Sequence, residues 1–429
     1  MNFSAIKLLT FILVIFPGLA VSNTQEAQSN ENLVVLESNS DVPNFSTPTI
    51  YASFNDNLKS EFTTAVEREF NAAPERAGIS VAVYTKDKLW VYSQGIADST
   101  TEMTINTPIL IGSTSKTLVS SLILMQIEQG LYNIDSSLES VLSGHPDYST
   151  FDKNIINPKV TIEELLSMRS GLPNYNDNRK GISGLFKSSS WKPSQNIQLN
   201  NSPYVKPGVF DYNDTNLALL GLIAEYHGGN DLYSLYKQTF FDKLDLTLVP
   251  LSSSIIRMDP AMPYDNLRPW AEGFGNVIEA APFAFEYWIK GQSRMRWACC
   301  WMVSTPANLS RWGYELYSSK GNAIPVSVRN KLLNSMKGNS VTFQGTRQKY
   351  GYFVTERMFT LPSSRTITTY GHPGGGGGYS TLLRYSPELD LAIAILVNSP
   401  LKFQGSCKKY DPRTCIAKSI FTAYSKQYK

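Results

Sequence analysis

The residues best suited to chemistry begin at Gly112-Ser113-Thr114-Ser115-Lys116, where a strand-like run gives way to helical spacing. Residues three apart share a helical face, so Lys116 can set its amine beside the Ser113 hydroxyl. The unpaired N–H groups of a first helical turn favour negative charge developing there. Ser113 is therefore a candidate activated nucleophile. Taken alone, Ser-x-x-Lys occurs often by chance, and its plain reading is a serine capping a helix and a solvated lysine.

A second cluster is Pro207-Gly208 followed by Phe210, Tyr212, Asn213, Asp214, Thr215 and Asn216, leading into apolar Leu217 to Ile223. A tyrosine on such a turn can shuttle a proton if a cation stabilises its phenolate, since a free phenol has a pKa of about 10. Lys116 is the candidate cation, and the plain alternative is a turn tyrosine packed on a helix that Asp214 caps. A third cluster, Tyr370-Gly371-His372-Pro373-Gly374, runs on through Gly375 to Gly378 and Tyr379. Glycines let a strand edge approach a ligand, so a backbone N–H here can face that of Ser113 across an oxyanion. The run lacks the Lys-Ser or Lys-Thr of a phosphate loop; a flexible turn is the other reading.

The elements that must carry these clusters are legible in outline. Ile79 to Tyr84 and Leu89 to Gln94 read as a hairpin across polar Thr85 to Lys88. After Ser113 the apolar positions Leu118, Leu122, Met125 and Leu131 fall on one helical face, with Gly130 near the stop. Helical segments and long loops follow to about residue 350. Thr366 to Tyr370, Tyr379 to Tyr385 and Leu391 to Val397 read as strands, the last a continuous apolar run expected of a strand covered on both faces, and Ile416 to Tyr424 as a closing helix. The expected architecture is a sheet built from both ends of the chain with a helical lobe inserted between its second and third strands.

In 429 residues, 39 Lys and Arg stand against 36 Asp and Glu, for a net charge of +3. With 42% hydrophobic residues and the charges scattered, global disorder and a nucleic-acid-binding stripe are both excluded. Residues 1–22 read as a secretory signal peptide: Lys7, the apolar run Leu8 to Phe16, then Pro17, Gly18 and small residues at Ala20 and Ser22. Residues 23–49 are polar and aperiodic, a flexible leader. The catalytic domain is expected over 50–429, with a sheet lobe from 50–112 and 360–429 and a helical lobe over 113–359. A periplasmic or secreted location follows, with no stable membrane span once the signal is removed. Of the four cysteines, Cys407 and Cys415 bracket a turn-rich stretch and are expected to pair. Cys299 and Cys300 read as free buried thiols. Only three histidines are present and none has zinc spacing to a cysteine, so no metal is expected.

The order Ser113-x-x-Lys116, Tyr212-x-Asp214, His372-x-Gly374 resembles the serine β-lactamase-related family of class C β-lactamases, D-Ala-D-Ala carboxypeptidases, D-aminopeptidases and esterases. Leu165-Leu166-Ser167-Met168-Arg169-Ser170-Gly171-Leu172-Pro173 and Met302-Val303-Ser304-Thr305 are lesser landmarks in agreement. The resemblance implies an α+β fold: three α/β/α layers around an antiparallel sheet, of the β-lactamase/transpeptidase kind. It further implies that Ser113 attacks a carbonyl and that Lys116 and Tyr212 share the base and acid roles, with the choice between them open. Asp214 takes a place usually held by Asn, and His372 one held by Lys or His. Gly374 allows close approach, and Gly375 supplies the second oxyanion N–H. Such chemistry needs side chains and water, so no cofactor is implied.

The chain departs from the family's pattern at Pro373, where a hydroxyl residue is usual; proline also has no N–H to offer a substrate carboxylate. A carboxylate near His372 would charge it near neutral pH and partly restore anion binding. Asp214 is acceptor-only where a donor often meets a substrate amide. Cys299, Cys300 and Trp301 stand where small residues are common, and are read as core packing. The aromatic-rich segment Trp270 to Trp288 either lines an acyl pocket or covers the sheet. The expected function is a secreted serine hydrolase resembling D-alanyl-D-alanine carboxypeptidases, acting on a peptide or small-molecule substrate as a monomer. An esterase or β-lactamase-type hydrolase, and a catalytically silent penicillin- or peptidoglycan-binding protein, are the alternatives.

Overall fold

The expected hairpin is β1 (Ile79–Tyr84) and β2 (Leu89–Gln94), antiparallel with Ile79 opposite Gln94 and Tyr84 opposite Leu89. The computed structural model describes residues 43–47, 51–73, 77–98, 101–188, 190–252, 284–362, 364–400, 404–407 and 410–428, with backbone alone at 284–288. The signal segment and most of the leader lie outside the described residues, as do residues 270–283 and the remaining side chains of the aromatic-rich segment. Among the described residues no helix is long and apolar enough to cross a membrane.

The remaining strands, in chain order, are β3 (Ile109–Leu110), β4 (Val249–Pro250), β5 (Met302–Ser304), β6 (Ser340–Phe343), β7 (Thr346–Tyr350), β8 (Thr355–Thr360), β9 (Thr366–Gly371), β10 (Pro373–Gly376), β11 (Tyr379–Ser386) and β12 (Leu391–Val397). The main sheet runs β2-β1-β12-β11-β9-β8-β7-β6, with β10 paired to β11; β3, β5 and β4 form a small second sheet. Every pairing among these strands is antiparallel.

Five helices position the rest: α1 (Asp56–Asn71), α2 (Lys116–Glu128), α3 (Asp214–Gly228), α4 (Pro306–Tyr317) and α5 (Pro412–Ser425). β12 is buried along its whole length because alternate residues serve two cores. Ile393, Ile395 and Val397 pack with α1 and α5, including Phe62, Val66, Ile416 and Ile420. Ala392, Ala394 and Leu396 face the other side, where α2, α3 and α4 contribute Leu118, Leu217 and Trp312. This two-sided burial makes the three layers.

The structure corrects two boundaries. β6, β7 and β8 extend the main sheet through 340–360, which the sequence reading gave to the helical lobe. β6 alternates over only four residues, with Phe343 buried and Val341 packed beside it at the core edge, a run too short to mark a strand by itself. A local signal does exist: Gln344 and Gly345, both at positive φ, make the two-residue turn between β6 and β7. The end of the leader is also part of the body. Phe45 is buried in the helical-side core, and Thr47 N–H donates to Asn106 Oδ1 at 3.1 Å.

Candidate active site

β3 delivers the chain to the turn Gly112–Ser115, and Ile111 N–H donates to Met302 O at 2.9 Å, which ties that turn to β5. Gly112 has φ +53°, and a Cβ there would lie 2.7 Å from Gly375 N, so only glycine fits. Ser113 is half-buried. Lys116 opens α2 fully buried, with Nζ 3.4 Å from Ser113 Oγ. Its counter-ion is Asp214, 2.7 Å away. The Asp214 carboxylate also accepts from Asn176 Nδ2 at 2.7 Å, a contact the sequence gave no sign of. Asp214 thus faces Lys116, where a substrate-facing role had been expected; the helix cap is Asn213, whose side chain accepts from Thr215 N–H at 2.8 Å.

The Tyr212 turn is held by the stretch 168–173. Asp211 N–H donates to Met168 O and Gly208 N–H to Arg169 O, each at 2.8 Å. Asn213 Nδ2 reaches Leu172 O at 2.5 Å, and Ser170 Oγ donates to Asn216 Oδ1 at 2.5 Å. Clamped this way, the Tyr212 ring lies 5.1 Å from Lys116 Nζ and stacks on His372 with centroids 6.2 Å apart. Burial drives its pKa well above the ordinary phenol value, against the pull of the Lys116 charge, so the resting group is a phenol.

His372 corrects a second expectation. It is fully buried, and Nε2 lies 3.0 Å from Tyr350 Oη while Nδ1 lies 2.6 Å from Pro373 O. Burial, then the nearby Lys116 charge, hold its pKa down to about 3, so the imidazole is neutral. A neutral ring with Nδ1–H toward Pro373 O accepts the Tyr350 hydroxyl at Nε2. His372 is a packing and hydrogen-bonding group, with no charge to offer an anion.

On β10, a Cβ at Gly374 would sit 2.0 Å from Ile111 O, so glycine is required for the close approach. Leu383 N–H bonds to His372 O, which makes Pro373 and Leu382 a non-hydrogen-bonded pair. Alternation then turns the Gly375 N–H away from β11, toward the Gly112 turn. The Gly375 N–H therefore lies beside the turn that carries Ser113, where an oxyanion donor would stand.

Cys299 and Cys300 are free and buried, as expected, but Cys300 does more than fill core. Its Sγ lies 3.1 Å from Lys116 Nζ and 3.4 Å from Ser113 Oγ. Burial opposes ionisation of both thiols, yet the Cys299 contact and the Lys116 ammonium lower the Cys300 pKa while Cys299 is pushed up. Lys116 itself stays an ammonium: burial disfavours its charge, but Asp214 and Cys300 together raise its pKa well above the ordinary value. Arg296, which the sequence did not single out, lays its guanidinium against the Gly376 backbone. Among the described residues Asp214, Cys299 and Cys300 bring potential metal ligands within 4.8 Å of one another, but the Lys116 ammonium already contacts Asp214 and Cys300. Cys407 and Cys415 are joined as a disulfide with Cα atoms 5.6 Å apart.

The sequence model for Beta-lactamase matches residues 63–412. An unguisins hydrolase of Aspergillus violaceofuscus is 20% identical over 364 residues, 78% of this chain and 60% of that protein, so the chain spans three-fifths of the relative's length. Among solved structures, a D-amino acid amidase from Ochrobactrum anthropi SV3 superposes with a TM-score of 0.63 at 17% identity, covering 87% of this chain and 100% of the amidase. An octameric penicillin-binding protein homologue from Pyrococcus abyssi gives 0.61 at 18% identity, covering 87% and 77%.

Proposed function

Because the chain belongs to the beta-lactamase family, we propose that it is a serine hydrolase that cleaves amide bonds of D-amino-acid compounds through a Ser113 acyl-enzyme. The observation that carries this reading is the buried Lys116 amine 3.4 Å from the Ser113 hydroxyl, between Asp214 and the Tyr212 ring. The D-amino acid amidase among the structural neighbours supports the substrate class.

In this mechanism Ser113 Oγ attacks the carbonyl carbon as its proton passes to the Lys116–Tyr212 pair. The carbonyl oxygen collects charge between the N–H groups of Ser113 and Gly375. The same pair then gives the proton to the leaving amine, and water later breaks the Ser113 ester. With Lys116 resting as an ammonium and Tyr212 as a phenol, one proton must first leave Lys116 or the phenol. Cys300, its thiol pKa lowered to about 6, is too weak a base to keep that proton, so it leaves to solvent as the pH rises. Export is part of the proposal: the N-terminal apolar run and the Cys407–Cys415 disulfide both suit an oxidising compartment.

A carboxypeptidase is the second reading, favoured by Arg296 against Gly376, a cation able to meet a terminal carboxylate where Pro373 and the neutral His372 do not. The test is ammonia release from D- and L-phenylalanine amide, alongside D-Ala release from a D-Ala-D-Ala peptide in free-acid and amidated forms. The proposal expects turnover of the D-amide and its loss in Ser113→Ala, with a stoichiometric penicillin adduct on wild type by intact mass. Equal turnover of the L-amide, or activity that survives Ser113→Ala, overturns it; cleavage confined to the free-acid peptide selects the carboxypeptidase.

A further inference from the structure

On the face of the sheet that turns to α5, away from Ser113, lies a cavity of about 290 Å³ lined by Arg357, Arg384 and Arg413 together with Pro373, Leu382 and Thr414. Arg384 sits on β11, and its side chain is 1% exposed. It shares its face with Leu382, which packs in the α1–α5 core, whereas neighbouring Leu383 packs on the Ser113 side. A guanidinium this deep is ordinarily paired with an acid. Here Nη1 donates to Thr355 Oγ1 at 2.7 Å, and Nε has no hydrogen-bond partner.

Its neighbours add positive charge. Arg357 Nη1 reaches Thr414 Oγ1 at 3.4 Å, and its guanidinium lies 4.6 Å from the Tyr410 ring centroid. Arg413 is held by Asp411 at 2.9 Å and donates to the carbonyls of Gly374 and Thr381 at 3.1 and 3.0 Å. Asp411 also caps α5 through Thr414, so its two oxygens are taken. One carboxylate thus stands among three guanidiniums, and Arg384 and Arg357 form no ion pair among the described residues. Burial, followed by the Arg357 charge, brings even the Arg384 pKa down to about 9. The arrangement has the chemistry of an oxyanion receptor: planar donors, a concave space and excess positive charge.

We propose that this cavity binds a small oxyanion, a phosphate or a compact carboxylate, between Arg384 Nε and the Arg357 guanidinium. Through Arg413 and Gly374 the occupant is coupled to β10, which carries the Gly375 N–H, so it braces the oxyanion strand from behind. The experiment is calorimetric titration of the full-length Ser113→Ala protein with inorganic phosphate at constant ionic strength, which needs no turnover and so stands or falls independently of the proposed activity. Saturable binding with one site is expected, weakened about tenfold or more in both Arg384→Met and Arg357→Met, as for loss of a charged hydrogen bond. Arg357→Met guards against a folding failure of the buried Arg384 variant, because Arg357 is only half-buried. Phosphate binding that D-alanyl-D-alanine displaces assigns the occupant as a peptide carboxylate; binding that the dipeptide leaves untouched assigns a free oxyanion. Absence of saturable binding to the Ser113→Ala protein, or binding that survives both arginine substitutions, overturns the proposal.

Discussion

Asp214→Asn tests the electrostatics of the site most directly. In the folded chain the Asp214 carboxylate is 2.7 Å from Lys116 Nζ, with the two side chains 16% and 0% exposed. At an effective dielectric near 20, two charges about 4 Å apart attract by roughly 4 kcal/mol. Because about 1.4 kcal/mol is one tenfold step in proton affinity, losing that attraction lowers the Lys116 affinity roughly a thousandfold. Burial, which already opposes the ammonium, acts in the same direction. If the neutral amine accepts the Ser113 proton, wild-type reactivity climbs with pH through the neutral range, and in the variant that climb shifts down by about two to three pH units. A weaker base gives back part of the gain, so acceleration at pH 7 should be about 10- to 100-fold. The assay is labelling of Ser113 by a fluorophosphonate between pH 5 and 10, read by intact mass, with circular dichroism as a check of folding. Asparagine keeps an oxygen for the Asn176 donor, so the local structure should hold. A folded variant whose pH profile coincides with wild type would refute the idea that the Lys116 proton gates the serine.

Three further outcomes are expected. Methyl methanethiosulfonate should slow Ser113 labelling by more than about tenfold by adding a methylthio group to the sulfur 3.4 Å from Ser113 Oγ, reversibly with dithiothreitol; equal inhibition of Cys300→Ala would exclude that thiol as the target. Gly374→Ala, whose Cβ meets Ile111 O at 2.0 Å, should lose about 1–3 kcal/mol in denaturant melts and suppress labelling, whereas Gly375→Ala, with its nearest atom at 3.7 Å, should melt like wild type; similar melting of both would contradict the assigned packing. Since the folded His372 binds its proton more weakly than the unfolded chain does, its stability contribution is intact above about pH 6.5 and is lost as pH falls toward 3, by about 1.4 kcal/mol per pH unit. Glu225, raised to about 7 by burial, acts with the opposite sign, and His145, also lowered by burial, with the same sign; the readout is therefore the difference in slope between wild type and His372→Asn, and parallel curves would sink the assignment of a neutral buried imidazole.

What the sequence determined by itself was whatever short-range geometry dictates. The β1–β2 hairpin, the strands β9, β11 and β12 and the closing helix α5 follow from alternation, continuous apolar runs and helical spacing over a few residues. Ser113 and Lys116 meet because a turn and a helix bring residues three apart onto one face. β6, four residues long, showed too little alternation to stand out, and the docked Phe45 has no periodicity around it and takes its place from tertiary contacts. The same holds for the charges of the site. Cys300 is 187 residues from Ser113 and comes beside it only because β5 pairs with β3. Asp214 pairs with Lys116 because its turn is clamped by residues 168–173, and His372 is neutral because the aromatic wall of Tyr212, Phe343 and Tyr350 removes it from water. Residue type states what a side chain can do, but its protonation and its partner depend on dielectric and on neighbours distant in sequence, and only the packed chain supplies those.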